Sequence, residues 1–436
     1  MGDFERFIVD NAEVDVSRLL LSHVQWPEPD DPSLSGLDRR ELAVSTIESR
    51  KKLRRKVPEW YDKTSLVFPN ALSAEQCSSS ATASYKASLA SRMTGGKGRL
   101  ADLTGGLGVD CWAFSKVMDR VLYNDMNVAL SKVAVHNFRE LGVNNVTVKS
   151  VEVTKSSVDT ILDGFSPDII FMDPARRSTD GRKVFMMEDC SPDVVELLPV
   201  LFSSCRNVLI KLSPMADISQ VVEKLNRSYE AYLEKTEWRG WNGNWVREVH
   251  VISSGGECKE LLVWLDREWS GTYSLTCCED GSLLEFSSGE LSASKPVLPE
   301  SVFARVLFEP GKSLTKAGAF NAICSKFGLV KLAKSTHLYT CSGPLSEEEA
   351  VSRMERLRPL GKVFKVLEIL PMNKSSFKEV KKAYPRCEVS ARNIPLSSDE
   401  LRARLGVASG EDAHIFGVRI ETPFENGIFL LVCRRI

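Results

Sequence analysis

The stretch LADLTGGLGVD, which runs from Leu100 to Asp110, decides the fold of this chain. It begins as a short apolar strand, turns through Gly105, Gly106 and Gly108, and continues into a segment with helical character. Glycine lets the backbone approach a ligand closely because it carries no Cβ. The first N–H groups of a helix lack partners within that helix and are available at the same place. The stretch therefore predicts a ligand-binding turn between a strand and a helix.

Short apolar strands alternate with helical segments from residue 98 to about residue 266. The expected parallel strands are 99–103, 121–124, 146–148, 169–172 and 208–212. Such alternation implies right-handed βαβ units and a parallel sheet. Two more strands, 247–252 and 260–265, flank Ser253-Ser254-Gly255-Gly256 and predict an antiparallel hairpin. The predicted fold class is α/β, with a Rossmann-like sheet between an α-helical N-terminal domain and a small α+β C-terminal region.

The flanking segments have different patterns. Residues 1–95 lack strand patterns and predict an α-helical domain, with a proline-containing loop at 26–35 and helices at 37–60 and 74–93. Beyond about residue 270 the expected elements are helices at 313–327 and 397–405 and strands at 363–369, 414–420 and 428–433. Gly328 is expected to cap the first of these helices.

Composition excludes several classes of protein. The 436 residues carry a formal net charge of -1, so any nucleic-acid binding must come from local basic patches. The eleven cysteines form no C-x-x-C pair and no zinc-ligand spacing with histidine, which favours unpaired thiols and no metal. No signal peptide and no apolar run long enough to cross a bilayer is found. We expect a cytoplasmic protein without membrane contact.

Acidic residues follow the predicted strands at the places where a cofactor would lie. Asp102 ends the first strand, Asp125 the second, and Glu152 follows the third. The G-x-G-x-x-G pattern of nicotinamide-binding domains fails, because Cys111 takes the third glycine position. Asp102 would repel a pyrophosphate but pair with the ammonium of S-adenosylmethionine, and a carboxylate at position 125 can accept both ribose hydroxyls. These features favour S-adenosylmethionine over NAD.

Further loop residues complete the expected cofactor site, namely Thr104, Gly105, Gly106, Gly108 and Asp110. Two roles stay open at this stage. The glycine turn can also serve purely as a packing joint, and Glu152 either accepts the adenine amino group or is an ordinary solvated acid.

The fourth strand runs into Asp173-Pro174-Ala175-Arg176-Arg177, at the edge of the sheet where ligands bind. Asp173 is expected to accept hydrogen bonds from an exocyclic amine and to support its deprotonation, while Pro174 fixes the turn. The basic loop that follows is either a phosphate-binding element or a solvated surface, and it contains Arg176, Arg177, Arg182 and Lys183. Lys211, after the fifth strand, is either a substrate contact or the partner in a structural ion pair.

A set of motifs resembles bacterial class I S-adenosylmethionine-dependent methyltransferases with a C-terminal ferredoxin-like unit and a THUMP-like domain. The motifs are DLTGGLGVD and DPARR together with 75–79 (EQCSS), 316–320 (KAGAF), 336–340 (THLYT) and 391–395 (ARNIP). The resemblance implies a methyltransferase domain at 96–268, a ferredoxin-like domain at 269–345 and a THUMP-like domain at 346–436. It further implies an RNA substrate, tRNA or rRNA, because THUMP domains in tRNA-modifying enzymes bind RNA.

The sequence departs from related enzymes at two places. Amino-group methyltransferases usually continue D-P-P and an aromatic residue that stacks on the base, whereas Ala175 and Arg176 stand here and Phe185 is the nearest replacement. Ser213 occupies the place of the nucleophilic cysteine that pyrimidine-C5 methyltransferases need. Because that cysteine is absent, a base nitrogen of guanine or adenine is the expected methyl acceptor. A protein or DNA substrate, or cofactor and RNA binding without turnover, are the alternatives.

The segment 35–56 is the strongest local basic patch. It holds eight basic residues against three acidic ones, and Trp60 and Tyr61 follow it. A basic helix with neighbouring aromatics fits contact with a phosphate backbone and stacking on bases. A solvated helix face is the competing interpretation. Lys312, Lys316 and Arg392 are weaker candidates for RNA contact in the C-terminal region.

Overall fold

The computed structural model describes residues 1–176, 187, 190–233, 244–299, 305–341, 345–423 and 426–436. Within them the chain divides into two compact units, the first comprising residues 1–247 and 262–271 and the second residues 248–261 and 272–436. No helix in these ranges is long and apolar enough to cross a membrane. All eleven cysteines lie in the described ranges and carry free thiols.

The first unit opens with helices that are broken by specific residues. They are α1 (Asp3–Asp10), α2 (Val16–Leu21), α3 (Arg39–Lys56), α4 (Pro58–Tyr61), α5 (Ala71–Gln76) and α6 (Ser80–Thr94). The single helices predicted at 37–60 and 74–93 were wrong. Pro58 begins a new helix because its ring disfavours a helical conformation at Val57, and Ser79 caps α6 by accepting a hydrogen bond from the Thr82 N–H at 3.2 Å.

A parallel sheet with crossover helices follows. The elements of this region are β1 (Arg99–Asp102), α7 (Val109–Ser115), β2 (Arg120–Asn124), α8 (Val128–Glu140), β3 (Val146–Lys149), α9 (Val158–Leu162), β4 (Ile169–Met172), β5 (Ala175–Arg176), β6 (Cys190–Ser191), α10 (Val194–Ser204), β7 (Asn207–Leu212), α11 (Ile218–Leu233), β8 (Val246–Ser254) and β9 (Glu257–Asp266). Strands β5 and β6 form a separate antiparallel pair, and residues 248–261 of β8 and β9 belong to the second unit. The strand order from one edge is β3-β2-β1-β4-β7-β9-β8. The pairs from β3 to β7 are parallel.

This order confirms the predicted Rossmann-like fold class. The turn between β8 and β9 consists of Gly255 and Gly256, whose φ angles of +61° and +77° are those of a tight hairpin turn. Strand β4 is buried along its whole length, as expected for a central parallel strand covered by helices on both faces. The carboxyl ends of β1, β2, β4 and β7 consequently meet at one edge of the sheet.

The N-terminal helices pack against this sheet layer as part of the same unit. The amide of Asn137, on α8, donates to the Val67 carbonyl at 2.9 Å and accepts from the Val67 N–H at 3.1 Å. The buried carboxylate of Asp31 pairs with His136 and Arg139 of the same helix. The hydrogen bonds from Arg139, Ser33 and His136 outweigh burial and hold the pKa of Asp31 well below its usual range.

The second unit is α+β, as predicted for the C-terminal region. Its elements are β10 (Ser274–Glu279), β11 (Ser282–Ser287), α12 (Ser288–Ala293), β12 (Val306–Pro310), α13 (Lys312–Lys316), α14 (Ala322–Phe327), β13 (Leu329–Ala333), β14 (Thr336–Cys341), α15 (Glu347–Glu355), β15 (Gly361–Pro371), α16 (Lys374–Ala383), β16 (Glu388–Arg392), α17 (Ser398–Leu405), β17 (His414–Glu421) and β18 (Asn426–Arg435). A seven-stranded sheet has the order β13-β14-β12-β15-β18-β17-β16. The single helix predicted at 313–327 was wrong, because Gly318 lies at φ +66° and separates α13 from α14.

Candidate active site

The glycine loop joins β1 to α7 and depends on its missing side chains. A Cβ on Gly105 would lie 2.2 Å from the ring of Tyr123, which is itself fully buried. Gly106 and Gly108 have φ angles of +53° and +92°, which residues with side chains rarely adopt. Gly108 is also the N-cap of α7, so the free N–H groups of that helix begin at the loop.

The neighbouring strand β2 fixes the loop through hydrogen bonds. The Tyr123 hydroxyl donates to the Gly106 carbonyl at 2.6 Å, and the Gly105 N–H donates to the Asn124 carbonyl at 2.8 Å. The two carboxylate oxygens of Asp125 accept the N–H groups of Gly106 and Asn127, each at 2.8 Å. Asp125, which was predicted to bind ribose, thus already lies beside the glycine loop and is oriented by the backbone.

Asp102 lies at the centre of an acidic cluster at the carboxyl edge. Its carboxylate is 1% exposed and accepts the Thr104 N–H at 3.1 Å. Burial, followed by the negative charge of Asp110, raises its pKa well above the usual range, and the charges of Asp173 and Asp125 act in the same direction. The four aspartates selected from the sequence are therefore close enough to interact electrostatically. A cation arriving at this edge would relieve their mutual repulsion.

The side chain of Asp110 is held by residues that the sequence reasoning missed. Lys86 of α6 places its ammonium 3.1 Å from one carboxylate oxygen, and the hydroxyl of Ser78 donates to the other at 2.7 Å. The Lys86 ammonium also donates to the Ser78 hydroxyl at 2.7 Å. Ser78 belongs to the EQCSS segment at 75–79, which resembles the related methyltransferases, but the sequence gives no role to that segment.

Strand β4 is followed directly by Asp173 and Pro174, which therefore lie at the same edge of the sheet. The carboxylate of Asp173 accepts a short hydrogen bond from the Lys211 ammonium, whose side chain is 14% exposed. The Asp173 N–H donates to the Thr104 hydroxyl at 2.6 Å. Thr104 therefore connects the glycine loop to the residue that follows β4, and Lys211 forms an ion pair with Asp173.

The remaining predicted site residues are Glu152 and those of the basic loop after β4. The side chain of Glu152 is exposed in the segment after β3, and the structure brings no partner to it that would favour either of its two roles. The backbone of Arg176 belongs to β5, which pairs with β6. Arg177, Arg182, Lys183 and Phe185 lie outside the described residues.

The basic segment of α3 is partly structural. The guanidinium of Arg50 is 6% exposed and donates to the carbonyls of Lys63 at 3.0 Å and Tyr61 at 2.6 Å. Trp60 is fully buried, so the expectation that it offers a stacking surface was wrong. Leu53 of α3 and Val57, its C-cap, are fully buried, so this side of the helix end faces the protein interior. Exposed basic side chains remain at Lys51, Lys52, Arg54 and Arg55.

The three C-terminal motifs meet in the second unit. Phe320 of the KAGAF segment stacks on His337 of the THLYT segment with ring centroids 3.7 Å apart. The amide of Asn393, from ARNIP, donates to the Thr336 hydroxyl at 3.2 Å. Arg392 forms an ion pair with Glu309 at 2.6 Å, which occupies a side chain considered for RNA contact.

Comparisons with known proteins agree with this architecture. Residues 307–347 match a ferredoxin-like domain family, and residues 361–435 match a THUMP domain-like family. The crystal structure of a candidate methyltransferase from Porphyromonas gingivalis W83 is 29% identical, covers 99% of this chain and 97% of its own, and gives a TM-score of 0.77. A search of curated proteins found no match.

Shorter matches involve only part of the chain. An rRNA methylase from Streptococcus thermophilus is 12% identical over 39% of this chain and 87% of its own, with a TM-score of 0.25. A candidate RNA methyltransferase from Pyrococcus horikoshii is 18% identical over 34% and 68%, with a TM-score of 0.27. The long match shows that the protein shares the whole-chain fold of the Porphyromonas gingivalis protein. The two family matches show that it carries a ferredoxin-like and a THUMP-like domain at its C-terminus.

Proposed function

We propose that the protein is an S-adenosylmethionine-dependent methyltransferase that methylates a base nitrogen in RNA, tRNA or rRNA. The acidic cluster at the glycine loop carries the proposal. Asp102 is buried and interacts electrostatically with three other aspartates, of which Asp110 and Asp173 are paired with lysines. Such a carboxylate favours a cationic ligand, and S-adenosylmethionine carries an ammonium and a sulfonium. A dinucleotide would bring its pyrophosphate against the same charges.

The residues around the loop fit the cofactor. Asp102 would pair with the ammonium of the methionine arm. It is buried at the end of β1, its carboxylate accepts the Thr104 N–H, and it forms no ion pair within the described residues. Asp125 would accept the ribose hydroxyls, and Glu152 the adenine amino group. Gly105, Gly106 and Gly108 leave room for close backbone approach. When bound, the cofactor supplies an electrophilic methyl group.

Asp173 and Pro174 would hold the acceptor. The carboxylate of Asp173 would accept hydrogen bonds from an exocyclic amine, and its ion pair with the Lys211 ammonium would orient it. As the amine attacks, positive charge develops on its nitrogen and Asp173 stabilises it or removes a proton. Methyl transfer is an in-line displacement, so alignment of the acceptor is the main contribution of the enzyme.

An RNA substrate is supported by the THUMP-like domain match at 361–435 and by the exposed basic residues of α3. Arg176 and the basic residues that follow it, Arg177, Arg182 and Lys183, would contact phosphates near the reacting base. Ser213 stands where cytosine-C5 chemistry would need a thiol nucleophile, which favours a nitrogen acceptor.

Methyl transfer to RNA tests the proposal directly. Tritiated S-adenosylmethionine is incubated with total RNA from cells that lack the gene, with nuclease- and protease-treated controls. RNase-sensitive label that is lost with Asp173→Ala is the expected result, and digestion to nucleosides would identify the atom. Label that resists RNase but not protease would move the substrate to protein. No label in any polymer, despite measured cofactor binding, would overturn the catalytic role.

The cofactor assignment has a simpler test in thermal unfolding. A ligand that binds only the folded state raises the free energy of unfolding by RT ln(1 + L/Kd), where L is the free ligand concentration, so the stabilisation grows with the logarithm of that concentration. We expect stabilisation by S-adenosylhomocysteine and none by NAD. The reverse result would overturn the methyltransferase proposal.

A further inference from the structure

The contact between α6 and the start of α7 gives the N-terminal helices a direct connection to the cofactor loop. Lys86 and Asp110 form a buried ion pair, with 0% and 10% of their side chains exposed. Ser78 closes a triangle, since it accepts from the Lys86 ammonium and donates to the Asp110 carboxylate, both at 2.7 Å. Asp110 is the second residue of α7, two positions after the glycine N-cap.

We propose that Lys86 is a positioning residue for cofactor binding, and that the N-terminal helices belong to the cofactor site. The proposal rests on the proposed function, because it concerns the same S-adenosylmethionine site. By holding Asp110, Lys86 fixes the first turn of α7 and with it the N–H groups that the glycine loop presents to a ligand. The Lys86 ammonium also pairs with the Asp110 carboxylate. Asp102 is then the aspartate that is available to pair with the ammonium of the cofactor.

A purely stabilising role explains this triangle less well. Removing two charges from water costs several kcal/mol per ion, and apolar residues of similar volume often replace a buried ion pair without loss of stability. The triangle fixes the orientation of groups at the ligand end of a helix, which an apolar pair would not do. The two helices also start at this contact, Ser79 being the N-cap of α6 and Gly108 that of α7.

The proposal implies thermodynamic linkage between two parts of the first unit. If docking of α6 orders the glycine loop, cofactor binding must in turn stabilise the docked α6, because such coupling is reciprocal. The N-terminal region then acts on the cofactor even though none of its residues was selected for that role from the sequence.

Calorimetry with S-adenosylhomocysteine on the full chain tests the proposal. Lys86→Met removes the cation, and the double variant Lys86→Met with Asp110→Asn removes the whole ion pair without leaving a buried carboxylate unpaired. Lys132→Met is the matched control, since the Lys132 ammonium also connects the two regions, through one bond to the Ser35 carbonyl at 2.6 Å, away from the loop.

We expect both Lys86 variants to bind S-adenosylhomocysteine at least tenfold more weakly, and the control to stay within twofold of the unmodified protein. In the methyl-transfer assay, KM for S-adenosylmethionine should rise while kcat at saturating cofactor is retained. If Lys86→Met fails to fold, the double variant decides. A folded Lys86 variant with affinity within twofold would overturn the positioning role, whereas an unmodified protein that binds no S-adenosylhomocysteine would overturn the proposed function itself.

Discussion

Gly105→Ala should displace the glycine loop, because the added Cβ would clash with a neighbouring ring. The new Cβ would lie 2.2 Å from Cε2 and 2.4 Å from Cδ2 of Tyr123. Ordinary contact begins at about 3.4 Å, so the loop or the ring has to move by about 1.2 Å. The φ angle of Gly105 lies outside the left-handed region, so the substitution introduces a clash without backbone strain.

The ring of Tyr123 has little freedom to yield. It is buried, packs edge-on against Phe138 with centroids 5.8 Å apart, and donates its hydroxyl to the Gly106 carbonyl. The loop must therefore move, and overpacking of this kind costs about 1–3 kcal/mol. At roughly 2–4 °C per kcal/mol for a unit of this size, the melting temperature should fall by about 2–12 °C.

The same displacement should weaken cofactor binding. A movement of this size breaks the 2.8 Å hydrogen bond between the Gly106 N–H and Asp125, and a bond to a charged group is worth about 1.5–3 kcal/mol. The Kd for S-adenosylhomocysteine should then rise about 10- to 150-fold. Thermal unfolding and calorimetry measure the two effects separately.

Gly289→Ala provides the control for Gly105→Ala. Within the described part of the chain, the Ser287 hydroxyl oxygen at 3.8 Å is the only atom found within 4 Å of the added Cβ, and Gly289 lies in the second unit. We expect an unchanged melting temperature and Kd for this variant. If Gly105→Ala also kept both values, the argument that Tyr123 fixes the position of the glycine loop would be refuted.

Three further predictions concern charge. Asp125→Ala should weaken S-adenosylhomocysteine binding by about 1.5–3 kcal/mol per lost charge-assisted hydrogen bond, and an unchanged calorimetric Kd would remove Asp125 from the ribose role. Burial lowers the pKa of His414 to about 4. The free energy of unfolding therefore keeps the full contribution of the neutral imidazole above the unfolded pKa near 6.5, and it decreases as the pH drops towards 4, by at most about 1.4 kcal/mol per pH unit. His414→Gln should flatten thermal unfolding measured between pH 7 and 4.5, and equal slopes would contradict this assignment. Arg55→Ala, at an exposed position of α3, should lower the salt dependence of RNA binding by about one unit of log–log slope, whereas an unaltered slope would exclude α3 as a phosphate contact at that residue.

The parallel sheet and the acids at its edge could be predicted because both follow from local pattern. Apolar segments of strand length, separated by helices, leave few alternatives to a doubly wound sheet. The carboxyl ends of neighbouring parallel strands converge in such a sheet. Asp102 ends β1, and Asp125 and Asp173 directly follow β2 and β4, so the proximity of the three carboxylates was predictable from the order of the strands.

The residues that escaped prediction are those whose role depends on packing between distant segments. Lys86 lies among small and polar residues of α6, and nothing in that pattern indicates that its ammonium is buried against Asp110. Arg50 and Trp60 belong to a basic and aromatic segment that would suit RNA, but their burial reflects how α3 and α4 fold back on each other. Charge counts along a sequence cannot distinguish a solvated arginine from one that satisfies buried carbonyls.

The C-terminal motifs lead to a related conclusion about domains. Strand β12 of the ferredoxin-like match pairs along its length with β15 of the THUMP-like match, from Val306 with Lys365 to Pro310 with Gly361. The Arg392–Glu309 ion pair and the Asn393–Thr336 hydrogen bond also cross that boundary. Separating the two matches would expose a paired strand edge on each side and leave these polar groups without partners. The two family matches therefore describe parts of one continuous sheet, and RNA contacts made by either part would be positioned by the other.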